Sequence, residues 1–230
     1  MSRKTKGAGK QTSKLLEAEA RIPVRLNYLL HLPADYGKDP DKRWPLILFL
    51  HGMGERGDDL GKVKIHGIPK RVERDPSFPF VTVSPQCPLD SVWTSQLPAL
   101  ETLLDSVLDQ YAVDPARVYL TGLSMGGYGS WALGSQSPQR FAAVVPICGG
   151  GRPEAGFPAK VAALKEVPVW AFHGAKDDVV PLAESETLVD HLRSVGGDAR
   201  LTVYPDCGHN SWAQTYDNPY LYRWMLKYHR

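Results

Sequence analysis

One six-residue stretch restricts the possible folds of this chain more than any other. Residues 122–127 read Gly-Leu-Ser-Met-Gly-Gly. Residues 117–121 predict a buried strand before it, and residues 128–135 predict a helix after it. A serine between two glycines at such a turn is typical of an exposed catalytic nucleophile, because glycine leaves room for the sharp reversal of the chain. The alternative is a tight turn in which Ser124 only caps the helix.

Predicted strands and helices alternate along the chain. Strands are predicted at residues 21–32, 44–50, 80–84, 117–121, 142–147, 167–172 and 201–204, and helices at 65–75, 97–111, 128–135, 182–195 and 219–228. This alternation predicts an α/β protein with a mostly parallel, doubly wound sheet flanked by helices. The first strand alternates apolar and polar residues, which favours an antiparallel edge. Asp114 and Pro115 predict a turn, and the short connection between 147 and 167 leaves no room for a large lid.

Length and charge suggest one catalytic domain. We expect residues 21–230 to form it and residues 1–20 to be a flexible basic tail. A net charge of +2 gives no general attraction to nucleic acid or membranes. The chain has neither a long apolar run nor the apolar segment of a secretory signal, which predicts a cytoplasmic protein. A monomer and a dimer both remain open.

The sequence does not indicate a metal or a cofactor. The three cysteines, Cys87, Cys148 and Cys207, show neither a C-x-x-C pattern nor zinc-ligand spacing. No dinucleotide-binding or phosphate-binding glycine loop is present. We therefore expect free thiols and a reaction carried by side chains, with a small-molecule substrate.

A serine nucleophile needs a general base, which a carboxylate in turn orients. His209 follows the predicted strand at 201–204, and Asp177 and Asp178 follow the strand at 167–172. All three residues therefore lie in loops that follow predicted strands of one sheet, in the order serine, acid and histidine. We predict His209 as the base and prefer Asp177 to Asp178 as the acid. The alternatives are a structural loop histidine and an aspartate that caps the next helix.

The negative charge that develops on a carbonyl oxygen needs backbone N–H donors. Met125, directly after the serine, supplies one, and Met53 in the glycine-rich loop at 51–57 is the expected second. A close turn without this role is the alternative for the loop. Four aromatic residues are candidates for a substrate-binding wall, although core packing explains each equally well. They are Trp93, Tyr128, Trp212 and Tyr216.

Four blocks together carry a family resemblance: residues 50–57, 122–127, 173–181 and 208–212. The sequence resembles the phospholipase/carboxylesterase and dienelactone-hydrolase-like branch of the α/β-hydrolase superfamily over about residues 21–227. It is similar to bacterial esterases or peptidases that carry an L-H-G-x-G-E-R-G block. The resemblance implies the α/β-hydrolase fold.

The same resemblance implies roles for individual residues. Ser124 would be the nucleophile, His209 the base and Asp177 the acid, with Met53 and Met125 as the oxyanion donors. Dienelactone hydrolases proper have cysteine at the nucleophile position, so the serine argues against that activity.

Three functions remain after this reading. The first is a serine carboxylesterase acting on short- to medium-chain esters through an acyl-enzyme. The second is a peptidase or an acyl-protein thioesterase or lysophospholipase that uses the same triad. The third is a non-catalytic binding protein on the same fold, which the retention of every catalytic part disfavours.

Overall fold

The structure, a computed structural model, describes residues 23–230. Its strands are β1 (Tyr28–His31), β2 (Trp44–Leu50), β3 (Val81–Pro85), β4 (Val113–Leu123), β5 (Ala143–Ile147), β6 (Val169–Gly174) and β7 (Ala199–Tyr204). Its helices are α1 (Leu60–Val63), α2 (Gly67–Arg74), α3 (Leu97–Gln110), α4 (Met125–Gln136), α5 (Leu182–Ser194), α6 (Trp212–Asp217) and α7 (Pro219–Met225). The predicted basic tail at 1–20 lies outside the described residues, so its separation from a domain at 21–230 stays a prediction.

The seven strands form one sheet in the order β1-β3-β2-β4-β5-β6-β7. Every neighbouring pair is parallel except β1 with β3, so the antiparallel strand lies at an edge. Every residue of β2 is buried, as expected for a parallel strand covered on both faces. One apolar core packs under α3, α4 and α5, and a second packs under α2, α6 and α7. The predicted α/β class and doubly wound sheet are therefore confirmed.

Several boundaries differ from the predictions. The first strand covers only Tyr28–His31, and Asp114 and Pro115 lie inside β4 rather than in a turn. A register shift between β2 and β4 at Trp44 and Leu46 accommodates this irregular start of the strand. The helix α6 was not predicted, because six residues are too few to show a helical period. Between β5 and β6 the described chain forms two short 3₁₀ turns, which agrees with the absence of a large lid.

The turn between β4 and α4 is built on close contact between backbones. A Cβ atom at Gly126 would lie 1.9 Å from the carbonyl oxygen of Leu50, and one at Gly122 would lie 2.4 Å from the carbonyl oxygen of Gly126. Ser124 between them has a φ of 53° and a ψ of −116°, which side-chain-bearing residues rarely adopt. The end of β2 and the start of α4 therefore fit together only if these positions are glycine.

Gly126→Ala should lower the free energy of unfolding by about 3 kcal/mol or more, because the new methyl group has no space without moving β2. Gly134→Ala in the same helix is the matched control. Its Cβ atom would meet the Val144 side chain at 3.2 Å, and the helix propensity of alanine offsets this contact, so we expect a change of about 1 kcal/mol or less. Urea denaturation of both variants checks the difference, and equal stabilities would contradict it.

Candidate active site

Three polar side chains meet at the carboxyl ends of the parallel strands. Ser124 follows β4, Asp177 comes after β6, and His209 comes after β7. Loops at this end of neighbouring parallel strands lie side by side, which makes it the usual place for a site in an open α/β sheet. The fold therefore brings together residues that are up to 85 positions apart in the sequence.

The three side chains form a continuous chain of hydrogen bonds. His209 Nε2 lies 2.9 Å from Ser124 Oγ, and His209 Nδ1 lies 2.8 Å from Asp177 Oδ2. Because a carboxylate only accepts hydrogen bonds, Nδ1 carries the proton and Nε2 is free to accept the serine proton. Asp178 is exposed on the same loop, so only the first aspartate of the pair contacts the histidine.

The Asp177 side chain is completely buried. Burial favours the neutral acid, but hydrogen bonds from His209 and from the N–H groups of Val180 and Val179 outweigh it and lower the pKa of the carboxyl group. Both N–H donors bind Oδ1 at 2.9 Å, which leaves Oδ2 to His209. The carboxylate is thus held charged and in a fixed orientation.

His173 supports this carboxylate and was not singled out from the sequence. Its Nε2 lies 3.2 Å from Asp177 Oδ2 and 2.9 Å from the carbonyl oxygen of Val180, so this nitrogen carries a proton. Its Nδ1 is 2.8 Å from Ser185 Oγ on α5. The available signal was its place at the end of β6, four residues before Asp177.

Two helix starts frame the space beside Ser124. Met53 opens a short 3₁₀ turn (Met53–Glu55) and Met125 opens α4. Backbone N–H groups at the first position of a helix have no acceptor within it, so both are available to a ligand. Both residues line one cavity together with Ser124. Gly52 allows this approach, since a Cβ atom there would lie 2.9 Å from the Leu123 side chain.

His51 fixes the loop that carries Met53. Its Nε2 accepts a hydrogen bond from the Cys87 N–H at 3.0 Å, so Nδ1 carries the proton and donates to the carbonyl oxygen of Gly52 at 2.5 Å. Its carbonyl oxygen accepts from Trp93 Nε1 at 2.9 Å. Burial lowers the pKa of His51 to about 4, although the hydrogen bond to Gly52 acts in the opposite direction. The Glu55 carboxylate, 3.8 Å from Nδ1, is too distant for a hydrogen bond.

The stability of the protein should therefore fall as the pH drops from 6.5 to 4. In this interval His51 takes up a proton only in the unfolded chain, so unfolding is favoured by roughly 3 kcal/mol at the acidic end. This contribution is fully present above pH 6.5. His51→Gln should flatten the dependence, as measured by urea denaturation at pH 4.5, 5.5 and 7. An unchanged slope in the variant would show that other groups cause the loss.

The cavity over Ser124 has a volume of about 310 Å³. Its lining consists of Met53, Val92, Trp93, Thr94, Ser124, Met125, Tyr128, Arg152, Val179 and Val180. Two of the four aromatic candidates for a substrate-binding wall, Trp93 and Tyr128, thus line the cavity. Arg152 was not singled out from the sequence, because nothing in the pattern shows that its loop turns toward the serine.

Two of the aromatic candidates lie elsewhere. Trp212 packs its ring edge-on to His209, with centroids 5.3 Å apart, and borders a separate small cavity beside α2. Tyr216 is buried in the core, and its hydroxyl lies 2.9 Å from Thr121 Oγ1. The prediction of a substrate wall is therefore wrong for Tyr216, since its ring covers the sheet and lies outside the cavity over Ser124. Trp212 likewise does not line that cavity.

The Cys148 thiol lies close to two of these side chains. Its sulfur, a carboxylate oxygen of Asp177 and a ring nitrogen of His209 lie within 4.8 Å of one another. Burial raises the pKa of this thiol to about 12, so it stays protonated. Asp177 and His209 are already joined to each other by a hydrogen bond, and we assign no metal to the group.

Among residues 23–230, no helix combines the length and the apolar character needed to span a bilayer.

The sequence of the chain is similar to those of known proteins. The chain is 31% identical over 160 residues to a bifunctional acetylxylan esterase/xylanase of Neocallimastix patriciarum, a match that covers 65% of this chain and 22% of that protein. The chain spans about a fifth to two fifths of the length of the first curated relatives that it matches.

Solved structures of esterases share the fold of this chain. A thermostable esterase superimposes with a TM-score of 0.74 at 35% identity, covering 89% of this chain and 60% of that one. The esterase PE8 gives a TM-score of 0.62 at 27% identity, with 84% and 95% covered. The family model for phospholipase/carboxylesterase matches residues 77–218, more than half of the chain. The predicted resemblance is confirmed: the protein belongs to the phospholipase/carboxylesterase family of the α/β-hydrolase superfamily.

Proposed function

We propose that the protein is a serine carboxylesterase that hydrolyses short- to medium-chain carboxylic esters. The observation that carries this proposal is the hydrogen-bond chain from Asp177 through His209 to Ser124, which ends at a cavity. The relatives named as esterases support ester substrates for the family.

The reaction follows from the positions of the donors and acceptors. Ser124 Oγ attacks the ester carbonyl carbon while its proton passes to His209 Nε2. The carbonyl oxygen becomes an oxyanion, which the N–H groups of Met53 and Met125 stabilise. When the C–O bond breaks, His209 returns the proton to the leaving alcohol. Water then attacks the acyl-enzyme with the same base, which releases the acid and restores the serine.

Asp177 acts through His209. Its carboxylate holds Nδ1–H and stabilises the imidazolium that forms during each proton transfer. Burial strengthens this interaction, because little water screens the two charges.

The cavity supports a preference for modest acyl groups. Its volume of about 310 Å³ is at the lower end of small-molecule sites, and the side chains of Val92, Val179 and Val180 give it apolar walls. A long acyl chain would extend past these walls into water, where further methylene groups add little binding energy.

A substrate panel tests the proposal. We expect kcat/KM to be highest for p-nitrophenyl esters between acetate and octanoate and to fall for palmitate, and we expect a fluorophosphonate probe to label Ser124. A matched thioester and a peptide amide separate the other acyl-transfer activities. Faster turnover of the thioester or the amide than of the ester would replace carboxylesterase by thioesterase or peptidase. No turnover together with no labelling would refute a serine hydrolase.

A further inference from the structure

The cavity over Ser124 contains an isolated positive charge. Among the described residues that line it, Arg152 is the one that carries a formal charge, and its neighbours in the wall are largely apolar. The Arg152 side chain lies at the mouth, with 68% of its surface exposed. A substrate that fills the apolar interior therefore meets a guanidinium group where it leaves the cavity.

The charge of Arg152 is available to a ligand. Glu154 lies 3.5 Å from its Nη1, but this side chain is also 68% exposed, and ion pairs between exposed groups are weak in water. Glu184 on α5 accepts a hydrogen bond from the Gly151 N–H at 3.3 Å. Among the described residues, the ion pair of Arg152 within 4 Å is the exposed one with Glu154, which is a weak partner for the guanidinium.

The backbone next to Arg152 is tightly packed. A Cβ atom at Gly151 would lie 2.4 Å from the Phe157 ring, and one at Gly150 would lie 2.1 Å from Glu184 Oε2 on α5. These close contacts hold the start of the loop against the body of the protein. The backbone that precedes Arg152 is therefore fixed beside the cavity, while the arginine side chain itself is exposed.

The cavity is best matched to the acyl part of a substrate. The leaving alcohol must receive its proton from His209, and neither His209 nor its neighbour Trp212 lines this cavity. The group held in the cavity is consequently the one that remains on Ser124 as the acyl-enzyme.

We propose that Arg152 forms a carboxylate subsite, which makes the protein favour esters whose acyl group ends in a carboxylate, such as monoesters of dicarboxylic acids. The planar guanidinium group matches a carboxylate through two parallel hydrogen bonds. The apolar walls would hold the methylene chain between the ester and the acid. This inference rests on the proposed esterase function and specifies its substrate class.

Two substrates of equal chain length test the subsite: p-nitrophenyl hydrogen adipate and neutral p-nitrophenyl hexanoate. In Arg152→Gln, we expect the ratio of kcat/KM for adipate to that for hexanoate to fall about two- to fivefold, a moderate loss because water screens the exposed guanidinium. Hexanoate kcat/KM should fall much less than adipate kcat/KM, and urea denaturation checks that the variant folds. In the wild type, raising the salt concentration should lower the same ratio.

Arg223→Gln is the matched control, because Arg223 is an exposed arginine on α7 that does not line the cavity. An unchanged ratio in Arg152→Gln, or an equal fall in Arg223→Gln, would overturn the subsite while hexanoate turnover preserves the esterase. If the wild type hydrolyses neither substrate, the proposed function fails, and the subsite fails with it.

Discussion

Ser124→Ala should reduce kcat/KM for p-nitrophenyl butyrate by about 10⁵- to 10⁶-fold. The variant keeps the cavity and the proposed oxyanion donors but has no oxygen to form the acyl-enzyme. Alanine retains the Cβ atom, so the cost of the unusual backbone at this position should be similar. Steady-state hydrolysis measures the loss, and the fluorophosphonate probe should no longer label the protein.

A serine in the helix that follows Ser124 provides the control. Ser135 is buried in α4, and its hydroxyl has no hydrogen-bond partner among the described residues. Ser135→Ala should keep turnover within about twofold of wild type, since it touches neither His209 nor the cavity. A loss of less than tenfold in Ser124→Ala would show that another group is the nucleophile, provided that urea denaturation finds both variants folded.

Asp177→Asn should lower kcat by about 10³- to 10⁴-fold although it changes only one atom. The N–H groups of Val179 and Val180 both donate to Oδ1, so the amide oxygen of asparagine must take that position. The amide NH₂ then faces His209 Nδ1, which can accept its hydrogen bond only if the ring proton moves to Nε2. That nitrogen could no longer take the serine proton.

Asp178→Asn removes the same charge one residue away. Because Asp178 is exposed and does not contact His209, we expect kcat to change less than twofold. Measuring both variants with p-nitrophenyl butyrate separates a defined hydrogen bond from a general loss of negative charge. If the two substitutions had equal effects, the role assigned to the buried carboxylate would be wrong.

The parts of the fold that sequence alone predicted well are those with a regular apolar pattern. β2 matches its predicted range, and α3 and α5 end within one residue of theirs, because continuous burial and helical periodicity are local properties. The hydrogen-bonded trio was predictable for a related reason. Each member lies in the connection after one of the parallel strands, so its position along the chain determines its place at the sheet edge.

The features that could not be predicted from the sequence depend on the directions in which individual side chains point. Tyr216 lies in a helix too short for a periodic signal, and its burial follows from a contact with Thr121 on β4, 95 residues away. His173 supports Asp177 through a contact that exists only after β6 and α5 have packed. Arg152 reaches the cavity through an irregular loop, whose course no pattern of apolar residues specifies.

The exposed position of Met53 has a chemical consequence. Its side chain is 53% exposed at the cavity, whereas Met125 and Met225 are buried. Peroxide converts a thioether into a polar sulfoxide, and it acts first on the sulfur that it can reach. Among the methionines of residues 23–230, oxidation would therefore begin at the one whose N–H we propose as an oxyanion donor, while those in the core remain intact. A mouth wide enough to admit an ester also admits a small oxidant.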